Sequence, residues 1–105
     1  MTAPLVVIPV GPHDGDRVRS LLSLLKLCEP ADVEMVSVSG RDRGYPDGAW
    51  DLFCAAVRRA REVRAGDVAI LEADGAPLVR DWYAQLCREH EQTLGEGKWI
   101  TCGMA

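Results

Sequence analysis

The chain has 105 residues, 48% hydrophobic and 27% charged, the balance of one soluble globular domain rather than a disordered tail or a pair of domains. A chain of this size supports one core and leaves little material for a separate substrate-binding lobe. Twelve Lys and Arg against sixteen Asp and Glu give a net charge of −4, the wrong sign for a protein held to nucleic acid mainly by phosphate neutralisation. The longest apolar runs, Leu5–Val10 and Leu21–Leu25, fall far below the roughly 20 residues that cross a bilayer, and no basic segment precedes the first. The expectation is a cytoplasmic protein with no targeting segment and no membrane contact. Cys28, Cys54, Cys87 and Cys102 form no C-x-x-C pair and sit among apolar residues, so they read as reduced packing residues rather than disulfides or zinc ligands.

Leu5–Val10 is a continuous, β-branched apolar run stopped by Gly11-Pro12, the pattern of a strand buried on both faces. From Asp14 or Asp16, either of which can cap a helix, Val18, Leu21, Leu22, Leu25 and Cys28 recur at helical spacing until Pro30. Leu24 and Leu27 widen this stripe and predict a well-buried helix. Val33–Val38 reads as a second strand, followed by a turn-rich segment over Ser39–Gly48. Asp47 is placed to cap a helix whose Ala49, Leu52, Phe53, Ala56, Val57, Ala60 and Val63 share one face. Val68–Leu71 is a third strand, Asp81 opens a helix through Leu94, and Trp99–Cys102 is a last extended segment. The order βαβαβαβ predicts a single α/β domain over residues 1–105, with a mostly parallel sheet and right-handed crossovers.

Ligands of open parallel sheets bind beyond the carboxyl ends of the strands. Three polar, glycine-containing segments stand there: Gly11–Gly15, Ser39–Arg43 and Glu72–Gly75. Glu72 and Asp74 are the sharpest feature, because alternate residues leaving a strand point the same way and two carboxylates so placed can hold a hard divalent cation against a diphosphate. Spacing alone equally admits a plain turn at Asp74–Pro77 with Glu72 at a solvated strand end.

The segment Ala65–Leu86 joins an A-x-G-D turn, an apolar strand, the acidic Glu72-Ala73-Asp74 and a P-x-x-x-x-W sequence, Pro77 to Trp82. In this it resembles the centre of GT-A glycosyltransferases of the family 2 kind. Val6–Val10, the leucine-rich helix and the strand Val33–Val38 look like that family's first βαβ unit, so the resemblance runs through most of the chain. It implies a three-layer Rossmann-like, GT-A-like domain that binds a nucleotide-diphosphate sugar with Mg²⁺ or Mn²⁺ and transfers the sugar to an acceptor it does not specify. Carried over by residue, Asp74 and Glu72 match the metal and diphosphate motif, with Glu in place of the first Asp. Pro9, Val10 and Gly11 match the nucleoside-side loop. Asp42 is the nearest match to the acid after the second strand, although Ser39-Gly40-Arg41-Asp42 departs from the family's D-x-x-S pattern. The family's acceptor-binding half and its usual catalytic base correspond to nothing up to Ala105, so no catalytic residue is assigned. The expectation is a nucleotide half completed by a homo-oligomer or a partner subunit; the rival is a non-catalytic α/β assembly or regulatory module.

Other residues weigh toward structure. His13 stands where the resemblance would bring a donor phosphate but reads first as a solvent-exposed loop histidine, His90 lies on the apolar side of its helix, and Arg41 and Arg43 flank the second loop. Arg58, Arg59, Arg61 and Arg64 form a stripe that reads as a solvated helix face. Trp50, Phe53, Trp82 and Tyr83 read as core rather than as stacking platforms.

Overall fold

The computed structural model describes residues 4–29, 31–38, 43–44, 46–63 and 66–98. The expected strand over Trp99–Cys102 and the candidates Arg41, Asp42 and Arg64 lie outside the described residues. Six elements follow one another: β1 (Leu5–Val10), α1 (Gly15–Leu25), β2 (Val33–Ser37), α2 (Asp47–Glu62), β3 (Val68–Ile70) and α3 (Trp82–Gly95). The alternation of strand and helix follows the predicted order as far as α3. The three strands form a parallel sheet in the order β2-β1-β3, with Val6 opposite both Val33 and Ala69.

β1, six residues long and apolar at both odd and even positions, takes the centre. Val6, Val7 and Ile8 are all inaccessible to solvent. Val6 and Ile8 cluster with Leu21 of α1, and Val10, Leu25, Ala69, Leu71, Trp82 and Tyr83 pack around them. α2 lies against all three strands and brings Ala56 and Ala60 into the interior. Its Arg59 reaches back to Glu34 of β2 and also pairs with Glu62. Tyr83 donates its hydroxyl hydrogen bond to the carbonyl of Pro4, tying the first turn of α3 to the approach to β1.

A proline in a central strand has a local explanation. Leu5 N–H donates to Asp67 O and Leu71 N–H donates to Val7 O, so the odd residues of β1 address β3. Pro9 is the next in that series. It has no N–H to give, and β3 has already ended at Ile70, so the ladder stops and the two chains part there.

Several expectations about burial are corrected. α1 stops at Leu25 rather than near Pro30, leaving Leu24 exposed and Leu27 68% exposed. β2 and β3 are sheet edges, and Val33, Met35, Val68 and Ile70 keep substantial exposure. The aromatic residues at the start of α2 are not core: Trp50 is 62% and Phe53 47% exposed. Trp82 and Tyr83 do pack against the core, in an edge-to-face pair 5.6 Å apart. His90 is mostly covered and lies 3.4 Å from Asp67, and Cys28, Cys54 and Cys87 are free thiols, all as expected of structural residues.

Candidate functional site

A cleft of about 590 Å³ opens at the carboxyl ends of the strands, where β1 and β3 part. The connection leaving β1 runs to β2 on one side while β3 lies on the other, so the cleft opens at the carboxyl end of the central strand. The loop after β1 supplies Gly11, Pro12, His13 and Asp14, and the segment after β3 supplies Glu72, Ala73 and Asp74. The first turns of α2 close the side with Gly48, Ala49, Asp51, Leu52 and Phe53.

The β1 loop is a tight, self-bonded turn. Gly11 N–H donates to Asp14 Oδ2 at 2.8 Å, and Asp14 N–H donates back to the Gly11 carbonyl at 3.2 Å. A Cβ on Gly11 would stand 2.9 Å from Asp14 Oδ2, so glycine is what lets the carboxylate reach the backbone. Asp14 occupies the N-cap position of α1, one of the two predicted, but its side chain caps Gly11 rather than the helix. Arg17, one turn along α1 and 3.5 Å from Asp14, also lines the cleft.

Glu72 and Asp74 reach the cleft by a different route from the one predicted. β3 ends at Ile70, and Gly75 N–H donates to the Glu72 carbonyl at 2.9 Å, closing a β-turn. Ala73 is buried at the centre of this turn, while both acids are exposed and both line the cleft. A Cβ on Gly75 would meet Leu71 Cδ1 at 3.0 Å and the Glu72 carbonyl at 3.1 Å, so the turn closes tightly on the strand end. The segment is a turn, over Glu72–Gly75 rather than the expected Asp74–Pro77, and both of its acids line one cleft.

Pro9 and Gly11 line the cleft as expected. Val10 does not; it turns toward the core, and its carbonyl accepts from Val38 N–H at 2.8 Å. Its place in β1 dictates this, since even-numbered residues share the face of Val6 and Ile8. Asp42 lies outside the described residues.

Sequence reading missed a clamp on the opposite wall. Arg43 makes a two-pronged contact with Asp51, Nε to Oδ2 at 2.8 Å and a terminal nitrogen to Oδ1 at 2.7 Å. The hydrogen bonds and the attraction between them raise the Arg43 pKa and hold the Asp51 carboxyl below its ordinary range. No sequence signal marks this pair, because its partners sit eight residues apart across a turn. Asp51 is consequently a poor proton acceptor, since a general base needs a pKa near the working pH. Asp81, Glu89, Glu91 and Glu96 are absent from the cleft lining.

Among the described residues no three His, Cys, Asp or Glu side chains are grouped to hold a metal ion. Glu72 and Asp74 offer hard oxygen donors, enough for a cation that draws its remaining ligands from phosphate oxygens and water, as Mg²⁺ commonly does. They do not amount to a protein cage for a resident metal. Compared with known protein families, curated proteins and solved structures, the chain matches none.

Proposed function

We propose that the chain is a three-layer, Rossmann-like domain of GT-A type, in the full order βαβαβαβ. It binds a nucleotide-diphosphate sugar in this cleft with Mg²⁺ or Mn²⁺ and delivers the sugar to an acceptor. The observation that carries the reading is the meeting of the Gly11–Asp14 turn and the Glu72–Asp74 turn on one cleft at the strand ends. Asp74, with Glu72, would hold the divalent cation, which neutralises charge on the departing diphosphate when bound. The N-terminal end of α1, where the helix dipole is positive, follows directly on the β1 loop that lines the cleft. Arg17 adds a cation at the same wall. Asp14 holds the β1 loop in shape through Gly11, so it orients the phosphate side rather than reacting.

Titration calorimetry with UDP, GDP and TDP, each with and without Mn²⁺, tests the reading. Heat is expected only when nucleotide and metal are both present, because two carboxylates alone hold the cation weakly. Absence of nucleotide binding under all conditions would overturn it and favour the non-catalytic assembly module. With the later acids Asp81, Glu89, Glu91 and Glu96 all off the cleft lining, nucleotide-sugar turnover by the isolated chain is expected to be slow and acceptor-independent. Assay of released nucleoside diphosphate checks this, and rapid acceptor-dependent release would contradict it.

A further inference from the structure

Trp50 and Phe53 stack on each other with ring centroids 5.5 Å apart and planes inclined by 23°, yet both are about half exposed or more. Isolated surface aromatics need no explanation, but two rings held face to face form a prepared apolar plane. This plane continues the cleft. Leu52 and Phe53 both line it, and Leu52 Cδ2 would lie only 3.6 Å from a Cβ on Gly11. The wall therefore runs from the β1 loop through Leu52 to Phe53, with Trp50 bracing the outer ring. The acidic turn at Glu72 and Asp74 supplies a separate polar region of the same cleft.

We infer that the Phe53 ring, braced by Trp50, is the platform on which the nucleobase of the bound nucleotide stacks. This rests on the nucleotide reading above and adds to it the part of the cleft that holds the base. A nucleotide has a charged diphosphate and a flat, weakly polar ring at opposite ends, and this cleft has an acidic, metal-ready turn and an exposed aromatic plane. A volume of about 590 Å³ falls within the range that holds a ligand of this size. Stacking on an aromatic plane tolerates any base, so the platform supplies affinity without choosing between pyrimidine and purine.

The test compares Phe53→Ala and Phe53→Tyr with the natural chain by calorimetry, using UDP, GDP and a UDP-sugar, and using inorganic pyrophosphate as the base-free probe, all with Mn²⁺. Phe53→Ala is expected to weaken UDP, GDP and the UDP-sugar about tenfold, within the span seen when base-stacking aromatics are truncated, and to leave pyrophosphate unchanged. Phe53→Tyr keeps the plane and is expected to restore affinity, which separates stacking from general damage to α2. Equal loss for pyrophosphate and nucleotide, or no loss for either, would overturn the platform while leaving the phosphate site standing. Loss confined to the UDP-sugar would assign the ring to the sugar and overturn it likewise. If the natural chain binds neither pyrophosphate nor nucleotide, the underlying nucleotide reading falls, and the platform with it.

Discussion

Gly11 and Asp14 hold each other by two hydrogen bonds, and the position admits no further atom without breaking one of them. Gly11→Ala is expected to displace the Asp14 carboxylate and cost roughly 1 kcal/mol of stability, the usual worth of a partly buried hydrogen bond. In an Asp14→Ala background the same substitution should cost much less, because the clash and the bond are already gone; a denaturant double-mutant cycle reads this coupling. At the opposite turn, Asp74→Asn removes a negative ligand while keeping the turn's shape. Metal-dependent nucleotide binding should fall at least tenfold, about 1.4 kcal/mol, with Glu72→Gln weaker in the same direction. Calorimetry that found Glu72 decisive and Asp74 neutral would reverse the assignment within the pair. Both glycines that shape these turns stand in the sequence as ordinary turn signals. What the sequence does not show is which side chain a turn admits, because Asp14 reads equally as a helix cap and as a loop partner.

The pattern of apolar residues locates the elements better than it locates their covered surface. Leu5–Val10 is found to its exact ends, since an unbroken β-branched run has no other stable place than a central strand. α2 also lies where its periodicity puts it, yet only Ala56 and Ala60 are buried while Phe53, Val57 and Val63 stay exposed. Periodicity gives the direction a helix faces and is silent about how wide a surface it meets, and the described sheet is three short strands across. The helix is fixed at its two ends by charge instead: Arg59 to Glu34 near one end, Asp51 to Arg43 near the other. The Asp51 carboxyl titrates below its ordinary value in the folded chain, so its contribution is present above about pH 4 and is lost as pH falls further. The difference in Tm between the natural chain and Asp51→Asn should therefore be largest near neutral pH and close toward pH 3. Because the pair is exposed, the difference should be small and shrink with added salt.

At the scale of the whole molecule, α1 and the first turn of α3 cover Val6 and Ile8 and leave apolar surface beside them exposed. Leu24, Leu27, Val33 and Met35 stay exposed, and a second cavity of about 280 Å³ is lined by Leu22, Leu25, Val33 and Trp82. Apolar surface of this kind favours association. Sedimentation velocity is expected to show self-association that Leu27→Lys or Met35→Lys reduces; a monomer at every concentration would contradict it. The parallel order β2-β1-β3 also sets the timing of assembly. β1 is made first, yet its second neighbour begins at Val68, and the tie from Tyr83 to Pro4 comes later still. During synthesis at ordinary rates, the stickiest segment of the protein must wait several seconds for its partner strand to be made. Long-range pairing of this kind slows folding. The strand that makes the finished core most secure is thus the one that leaves the nascent chain most prone to aggregate, and a ribosome-bound chaperone that shields Leu5–Val10 would raise the yield of folded protein.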